Sequence, residues 1–367
     1  MKQRLQWIDA MRGFTMLMVV TNHVQSASFG ELPNLSSSMQ FFSLFRMPMF
    51  FFISGFLAYR TKDTWTFHDF CQKTGKKLRV QIVPTIVFFL VGAILLHPST
   101  FGSTVVDWYH SPRKGGYWFT LVLLYMFVVY YVFEFIENNI VKYSLPQRAE
   151  EQKSPKLWPI LTLWVIAVFG GLTCYLPKWF SWGQRYGYTY TGWLNDTSVI
   201  ELLRYFHFFI FGNIVHRYWH KFERLFDLKG FYLAIVALAF LSTVEYVKLH
   251  FLRGQWANLT HMMAQYSLLT IVFLFFRYYQ DSFTQDRRLG RLLQYVGMRT
   301  LDVYLIHYLF LPKVPAVGKF FNANPGNFVL DTALSLGVSI LIVGFCVVVS
   351  NTLRISPFLK KYLFGRG

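Results

Sequence analysis

Residues 7–23 read WIDAMRGFTMLMVVTNH, an apolar run with three ionisable side chains, Asp9, Arg12 and His23. In a helix, the steps from Arg12 to His23 make about three full turns, so both side chains share one face roughly 16 Å apart. Asp9 lies one turn before Arg12 and is expected to pair with it. Ionisable groups in a bilayer usually face a protein interior or a water-filled cavity. A membrane anchor with a snorkelling Arg12 and a hydrogen-bonded His23 explains this run equally well.

The composition indicates an integral membrane protein. The 367 residues are 54% hydrophobic and only 15% charged, whereas a soluble protein is typically about 25% charged. Apolar segments long enough to span a bilayer recur along the chain, and no polar stretch is long enough for a separate soluble domain. We therefore predict an all-α integral membrane protein of about ten transmembrane helices, with residues 1–367 as a single membrane domain. The predicted spans are 7–27, 40–59, 80–97, 117–136, 157–176, 200–218, 230–249, 261–279, 300–318 and 329–353.

The distribution of Lys and Arg predicts that both termini are cytoplasmic. Basic residues concentrate in the cytoplasmic loops of membrane proteins. With the N-terminus inside, ten spans place 26 of the 36 Lys and Arg residues on the inner side and 10 on the outer side. This orientation puts Arg12 near the cytoplasmic face and His23 deeper, toward the outer leaflet. Because the basic residues lie between apolar runs, the net charge of +18 is explained by topology, and nucleic acid is not an expected partner.

The cysteines and common motifs exclude several classes of protein. Cys71, Cys174 and Cys346 are far apart and odd in number, so they predict neither a disulfide framework nor a CxxC metal site. No metal is therefore expected. The chain has no GxSxG, HExxH, P-loop or GxGxxG motif, which disfavours a protease, an ATPase and a dinucleotide enzyme.

A basic run precedes the third predicted span. Its charged residues are Lys73, Lys76, Lys77 and Arg79. Positive charge on the inner side of a membrane accounts for most such runs. The functional interpretation is that these residues bind the phosphates of a cytoplasmic, nucleotide-bearing donor.

Polar groups inside other spans are further candidates. In residues 41–57, FFSLFRMPMFFFISGFL, the pair Ser54-Gly55 predicts close approach of another helix. Arg46 near the outer end is an interface anchor or a site residue. Each remaining intramembrane group is either functional or a buried hydrogen-bonding partner. These groups are His207, Glu245, Asp302 and His307.

Aromatic and polar residues concentrate in the predicted outer loops. Trp and Tyr are enriched at any membrane interface, and they also stack on sugar rings. Their concentration in residues 179–196 favours a glycan surface. The members of this outer set are Asp107, Trp108, Tyr109, His110, Tyr117, Trp118, Trp182, Tyr186, Tyr188, Tyr190, Trp193, Asn195 and Asp196.

Five ordered blocks resemble the membrane acyltransferase 3 family. The opening block, with ten residues between Arg12 and His23, is most similar to the fucose 4-O-acetylase-like branch. The family often has His where Arg46 stands, and the basic residues ahead of Pro84 match its basic pair only loosely. The blocks are IDAMRG at 8–13, MPMFFFISGFL at 47–57, YWF at 117–119, FFIFG at 208–212 and TLDVYLIH at 300–307.

The resemblance implies a multi-pass enzyme of a bacterial cell (inner) membrane. Such an enzyme moves an acyl group, commonly acetyl, from cytoplasmic acyl-CoA to a hydroxyl of a glycan at or beyond the outer face. Arg12 and His23 match the family's essential pair. We expect acetyl-CoA to place its phosphates at the basic run and its thioester near His23, with Arg12 orienting the donor. The supporting or acceptor-binding candidates are Asp9, Asn22, Arg46, Ser54, Trp118, His207 and His307.

Two mechanisms and two other classes of protein stay open at this stage. His23 acts either as a general base on the acceptor hydroxyl or as a nucleophile that carries the acyl group. A transporter or exporter would use the Arg12–His23 face as a substrate path, and a sensor would keep the fold without turnover. The expected partners are the lipid bilayer, acyl-CoA and a glycan, and the sequence leaves the oligomeric state open.

Overall fold

A computed structural model describes residues 5–59, 66–144, 157–173, 192–253 and 255–364. Within these ranges the secondary structure is entirely helical and contains no strand, which confirms the predicted all-α class. The α-helices in chain order are α1 (Gln6–His23), α2 (Ser37–Ser43), α3 (Arg46–Ala58), α4 (Phe67–Lys77), α5 (Val83–Leu96), α6 (Phe101–His110), α7 (Trp118–Ser144), α8 (Leu157–Thr173), α9 (Gly192–Thr197), α10 (Val199–Arg217), α11 (Trp219–Phe226), α12 (Lys229–Val244), α13 (Gln255–Tyr278), α14 (Arg288–Met298), α15 (Thr300–Ile306), α16 (Pro315–Ala323), α17 (Phe328–Leu353) and α18 (Pro357–Phe364).

Several α-helices continue as short π- or 3-10-helical turns. A π-helical turn over Val24–Phe29 extends α1, so the first helical run passes His23 without a break. Another joins α4 to α5, and a third extends α12. The 3-10 turns are Pro98–Thr100, Lys114–Gly116, Gln280–Phe283 and His307–Phe310.

Six helical stretches in the described part of the chain are long and apolar enough to cross a membrane. They overlap the second, third, fourth, seventh, eighth and tenth predicted spans. The fifth span coincides with a shorter apolar helix, Leu157–Leu172. The multi-pass membrane class is therefore supported, while the number ten stays a prediction. The six stretches are Ser37–Ala58, Phe67–Leu96, Trp118–Asn139, Lys229–Leu249, Trp256–Tyr278 and Phe328–Leu353.

The predicted span 300–318 is not one helix. The helix α15 ends at Ile306 and gives way to the 3-10 turn His307–Phe310, and α16 begins only at Pro315. Proline has no N–H to donate and disfavours helical backbone at the preceding residue. Pro312 and Pro315 therefore prevent a continuous helix through this segment.

The chain divides into two compact units. The first unit contains Met1–Phe50 and Glu223–Pro357, and the second contains Phe51–Phe222 and Phe358–Gly367. In the first unit, α1 is buried along most of its length. In the second unit, a buried ion-pair network joins α7 to α10, because Arg217 binds both Glu134 and Glu137.

Glycines bring helix backbones together in the first unit. A Cβ atom at Gly13 would lie 2.0 Å from the carbonyl oxygen of Leu293, and one at Gly297 would lie 1.8 Å from that of Asp9. The two helices α1 and α14 therefore cross at a distance that only glycine permits. Hydropathy missed α14, because this short helix carries arginines and lies between the predicted spans 261–279 and 300–318.

The expected close approach at Ser54-Gly55 is confirmed in the second unit. A Cβ atom at Gly55 would lie 1.7 Å from the Phe209 oxygen, and one at Gly212 would lie 2.0 Å from the Phe52 oxygen. Small residues at paired positions let α3 and α10 pack backbone against backbone.

We expect Gly297→Ala to destabilise the protein, because the added methyl group must push α14 away from α1. Overpacking of this kind costs about 1–3 kcal/mol, and it is measured as a lower midpoint of thermal unfolding in detergent. Gly337→Ala is the matched control, since nothing lies within 4 Å of its Cβ position. Equal midpoints for the two variants would contradict the close crossing.

Candidate active site

His23 forms the centre of a group of rings in the first unit. Its Nε2 atom lies 3.0 Å from the hydroxyl oxygen of Tyr308, and the donor in this hydrogen bond depends on the histidine tautomer. The Tyr308 ring centroid is 4.9 Å from that of His23, and the His307 centroid is 5.2 Å away. The hydrogen bond orients the imidazole, which is the requirement for a histidine that must move a proton.

His307 is a buried member of the same group. Its side chain has 0% exposure, and Nδ1–H donates to the carbonyl oxygen of Val303 at 3.0 Å. That bond fixes the tautomer, so Nε2 keeps its lone pair. The Nε2 atom has no hydrogen-bond partner. The structure thus brings His307, predicted as a supporting residue, beside His23 with one basic nitrogen unsatisfied.

Two more predicted residues meet next to His23. Asn22 precedes it on α1, and its side-chain oxygen accepts a hydrogen bond from Nη1 of Arg46. Arg46 stands at the start of α3, so this bond ties α3 to the end of α1. The sequence left open whether Arg46 is an interface anchor, and its contact with Asn22 favours a part in the site.

The partners of Arg12 include Asp9 and Thr300. Its Nη1 atom lies 3.5 Å from the Asp9 carboxylate, which confirms the expected pair. Its Nη2 atom donates to the Thr300 hydroxyl at 3.1 Å. These contacts orient the guanidinium, whose planar set of N–H donors suits an anionic or carbonyl oxygen.

Asp302 and Glu245 have structural partners. The Asp302 carboxylate accepts from Arg354 at 2.7 and 2.9 Å and from the Ser350 hydroxyl at 2.6 Å. This bidentate pair joins α15 to the end of α17. Glu245 accepts from the backbone N–H of Leu252 at 2.7 Å. Asp302 is a buried hydrogen-bonding partner, whereas Glu245 is half-buried and its hydrogen bond is exposed.

The second unit holds other predicted site residues. Trp118 stacks near Tyr205, with centroids 5.9 Å apart. His207 is fully buried against Phe208, with centroids 4.0 Å apart. Ser54 is half-buried on α3. Of these three side chains, only His207 is fully buried, and Trp118 and Ser54 are half-buried.

The four basic residues lie on a helix rather than in a loop. They occupy α4 and the π-helical turn that follows it. Lys77 places its Nζ atom 3.4 Å from the ring centroid of Phe127, and Lys73 lies 6.0 Å from that of Tyr131. Lys76 and Arg79 are exposed. The run therefore contains two cations packed on aromatic rings and two that face outward.

Part of the outer aromatic and polar set can be located. The ring nitrogen Nδ1 of His110 lies 2.8 Å from the Asp196 carboxylate. Tyr117 is buried and Trp193 is exposed. The outer aromatic and polar set therefore contains both buried and exposed side chains. Trp182, Tyr186, Tyr188, Tyr190 and the side chain of Asn195 lie outside the described residues.

Sequence reasoning missed Tyr308 and Thr300. Tyr308 immediately follows the block TLDVYLIH, and Thr300 is the first residue of that block. Their position in or next to a block that resembles the family was the only indication in the sequence that they belong to the site. Among the residues with described coordinates, no three His, Cys, Asp or Glu side chains group as metal ligands.

A family model described as "Acyltransferase domain" matches residues 5–350. The chain belongs to the acyltransferase 3 family. The match includes Arg12, His23 and Tyr308 and extends over most of both compact units of this acyltransferase. No curated protein and no solved structure matches the chain. The assignment to the fucose 4-O-acetylase-like branch stays a prediction.

We expect Tyr308→Phe to slow acyl transfer, because it removes the hydroxyl on His23 and keeps the ring. A hydrogen bond to a charged partner contributes about 1.5–3 kcal/mol, which corresponds to roughly 10- to 100-fold in kcat. The KM values and the thermal midpoint should stay close to those of the unmodified protein.

Tyr295→Phe is the matched control for this measurement. Tyr295 donates a hydrogen bond to Asn351 at 3.0 Å, away from His23. Equal kcat values for the two variants, or a loss confined to stability, would show that Tyr308 does not position His23.

Proposed function

We propose that this acyltransferase is a multi-pass membrane O-acyltransferase. It moves an acetyl or other short acyl group from cytoplasmic acyl-CoA to a hydroxyl of a cell-surface or lipid-linked glycan. The observation that carries the proposal is the orientation of His23 by Tyr308 within an acyltransferase domain. A histidine with a fixed ring is suited to proton transfer near neutral pH.

His23 is the general base in this proposal. The acceptor O–H gives its proton to the imidazole, and the acceptor oxygen attacks the thioester carbonyl carbon. The carbon–sulfur bond then breaks, and the imidazolium returns the proton to the departing CoA thiolate. The products are an O-acyl ester and CoA-SH. The competing scheme, in which His23 itself carries the acyl group, requires the same residue as nucleophile.

Tyr308 supports the base step through the histidine tautomer. When Nε2 carries the proton and donates to the Tyr308 oxygen, Nδ1 holds the lone pair that takes the acceptor proton. The same hydrogen bond then stabilises the imidazolium that forms. This role parallels the orienting group of other histidine-dependent acyl transfers.

Arg12 and the exposed basic residues serve the donor. The guanidinium held by Asp9 and Thr300 orients the acyl-CoA. Lys76 and Arg79 bind its phosphates, since exposed cations make charge-assisted hydrogen bonds to phosphate. Lys73 and Lys77 contribute charge from their positions on aromatic rings.

The proposed topology has ten spans with both termini in the cytoplasm of a bacterial cell. The excess of Lys and Arg on the inner side supports this orientation. In this orientation, His23 lies between a donor on the cytoplasmic side and an acceptor on the outer side. The exposed Trp193 and the His110–Asp196 pair are candidates for contact with the glycan.

We expect His23→Ala to reduce transfer by at least about 10²–10⁴-fold, the usual contribution of general acid–base catalysis. Acyl-CoA consumption and acylated acceptor are measured together in membranes, with expression and thermal midpoint checked in parallel. His220→Ala, at an exposed histidine of α11, is the matched control. Normal acylation by the His23 variant would refute the mechanism. Substrate flux without acyl-CoA consumption would favour a transporter.

We expect the double variant Lys76→Gln and Arg79→Gln to raise the KM for acyl-CoA and leave kcat unchanged. The increase should be several-fold, since an exposed charge contributes on the order of 0.2–1 kcal/mol, and it should shrink at high salt. Lys313→Gln with Lys319→Gln removes two other exposed charges and is the control. Equal KM values for both double variants would exclude a donor role for Lys76 and Arg79.

A further inference from the structure

A buried carboxylate joins three segments of the first unit. Asp331 lies in the first turn of α17 and is 4% exposed. It accepts hydrogen bonds from Gln25 Nε2 at 2.7 Å, from Ser36 Oγ at 2.8 Å and from Ser38 Oγ at 2.6 Å. Gln25 belongs to the π-helical turn that extends α1, and Ser36 caps α2. Asp331 is therefore well supplied with donors.

A second carboxylate, that of Glu31, lies beside Asp331 and is not supplied with donors in this way. Glu31 is 3% exposed, and neither of its carboxylate oxygens accepts a hydrogen bond of normal geometry. The Ser36 hydroxyl lies near it but donates to Asp331. Burial, together with the nearby negative charge of Asp331, raises the pKa of Glu31 to about 7. The residue lies in the connection between α1 and α2, outside the predicted spans.

Two side-chain oxygens of the π-helical turn Val24–Phe29 are buried and unpartnered. They are Oε1 of Gln25, whose side chain is 1% exposed, and Oγ of Ser28, at 2% exposure. The Gln25 amide is aimed at Asp331, because its Nε2 atom donates to that carboxylate. The Oε1 atom of the same amide group is buried and lacks a donor.

Nothing in the described chain neutralises the two carboxylates. Neither Glu31 nor Asp331 forms a salt bridge with a Lys, Arg or His of these residues. Buried charges are normally paired or coordinate a metal. A proton shared between the two carboxylates would satisfy one of the unpartnered oxygens. A bound cation would satisfy the unpartnered oxygens of both Glu31 and Gln25, and it would also balance the negative charge of the two carboxylates.

We propose that Glu31, Asp331 and the Gln25 side-chain oxygen bind a calcium ion, with Ser28 as a further oxygen ligand. The donors are all oxygens, which suit hard cations, and two carboxylates match a divalent charge. Ca²⁺ accepts irregular sets of carboxylate, amide and water oxygens, whereas Mg²⁺ demands near-octahedral geometry and keeps its waters. Only two ligands are acidic, so neutral oxygens complete the site.

The ion would fix the outer end of the first helical run. Gln25 lies two residues after His23, and the site connects that turn to α2 and α17. In the proposed topology the cluster lies on the outer side of the membrane. Extracellular calcium sites typically have a Kd of about 10⁻⁴–10⁻³ M, so the site would be filled outside the cell.

Direct binding to the purified full-length protein tests the site. The protein is stripped with EDTA, and ⁴⁵Ca²⁺ binding is measured by equilibrium dialysis at pH 8 in detergent. We expect one saturable site per chain with a Kd on the order of 10⁻⁴–10⁻³ M and a rise in the thermal midpoint over the same concentrations. Absence of saturable binding to the unmodified protein would overturn the proposal and assign a proton to Glu31.

Variants then locate the bound ion. Glu31→Gln should abolish the calcium-dependent rise in the midpoint, and Asp107→Asn, at an exposed carboxylate, should retain it. If Glu31→Gln fails to fold, Ser28→Ala should still weaken binding by several-fold. Equal calcium affinity in the unmodified protein and in both the Glu31 and Ser28 variants would place the ion elsewhere and refute the site. Because binding is measured without acyl transfer, its outcome is independent of the proposed enzyme activity.

Discussion

The burial of the first helix is the constraint on which the rest of the first unit depends. The helix α1 is apolar and buried along most of its length, yet it carries Arg12, Asn22 and His23. Polar groups are costly in apolar surroundings unless another group bonds to them. The partners of these three side chains include Thr300, Arg46 and Tyr308, all provided by other segments. A complete site therefore requires that remote parts of the chain fold against α1.

Backbone contact delivers one of these partners. The crossing of α1 and α14 at Gly13 and Gly297 is too close for any side chain. Thr300 follows that crossing by three residues, so the glycine contact places its hydroxyl at Arg12. The break at Ile306 has a similar role, because the 3-10 turn that follows holds His307 and Tyr308 against the His23 ring. The 3-10 turn His307–Phe310 is therefore part of the candidate active site.

Local spacing explains the predictions that the structure confirms. Asp9 and Arg12 are one helical turn apart, so the spacing alone predicts their ion pair. Gly55 is a small residue in an apolar helix, which predicts the close approach of a second helix. The helix α14 could not be found in this way, because its arginines lower the local hydropathy. Tyr308 and the Glu31–Asp331 pair were missed because a side chain's partner hundreds of residues away leaves no periodic signal.

By itself, the sequence determined the all-helical class, the membrane character and the family resemblance, which the family model confirmed over residues 5–350. These properties depend on hydropathy, charge and ordered motifs, which can be read along the chain. Only the tertiary structure decided that His23 is held by Tyr308, that Asp302 is neutralised by Arg354 and that Glu31 is buried beside Asp331. The physical reason is that hydrogen bonds and charge pairs act over a few ångströms, and only folding brings these distant residues that close.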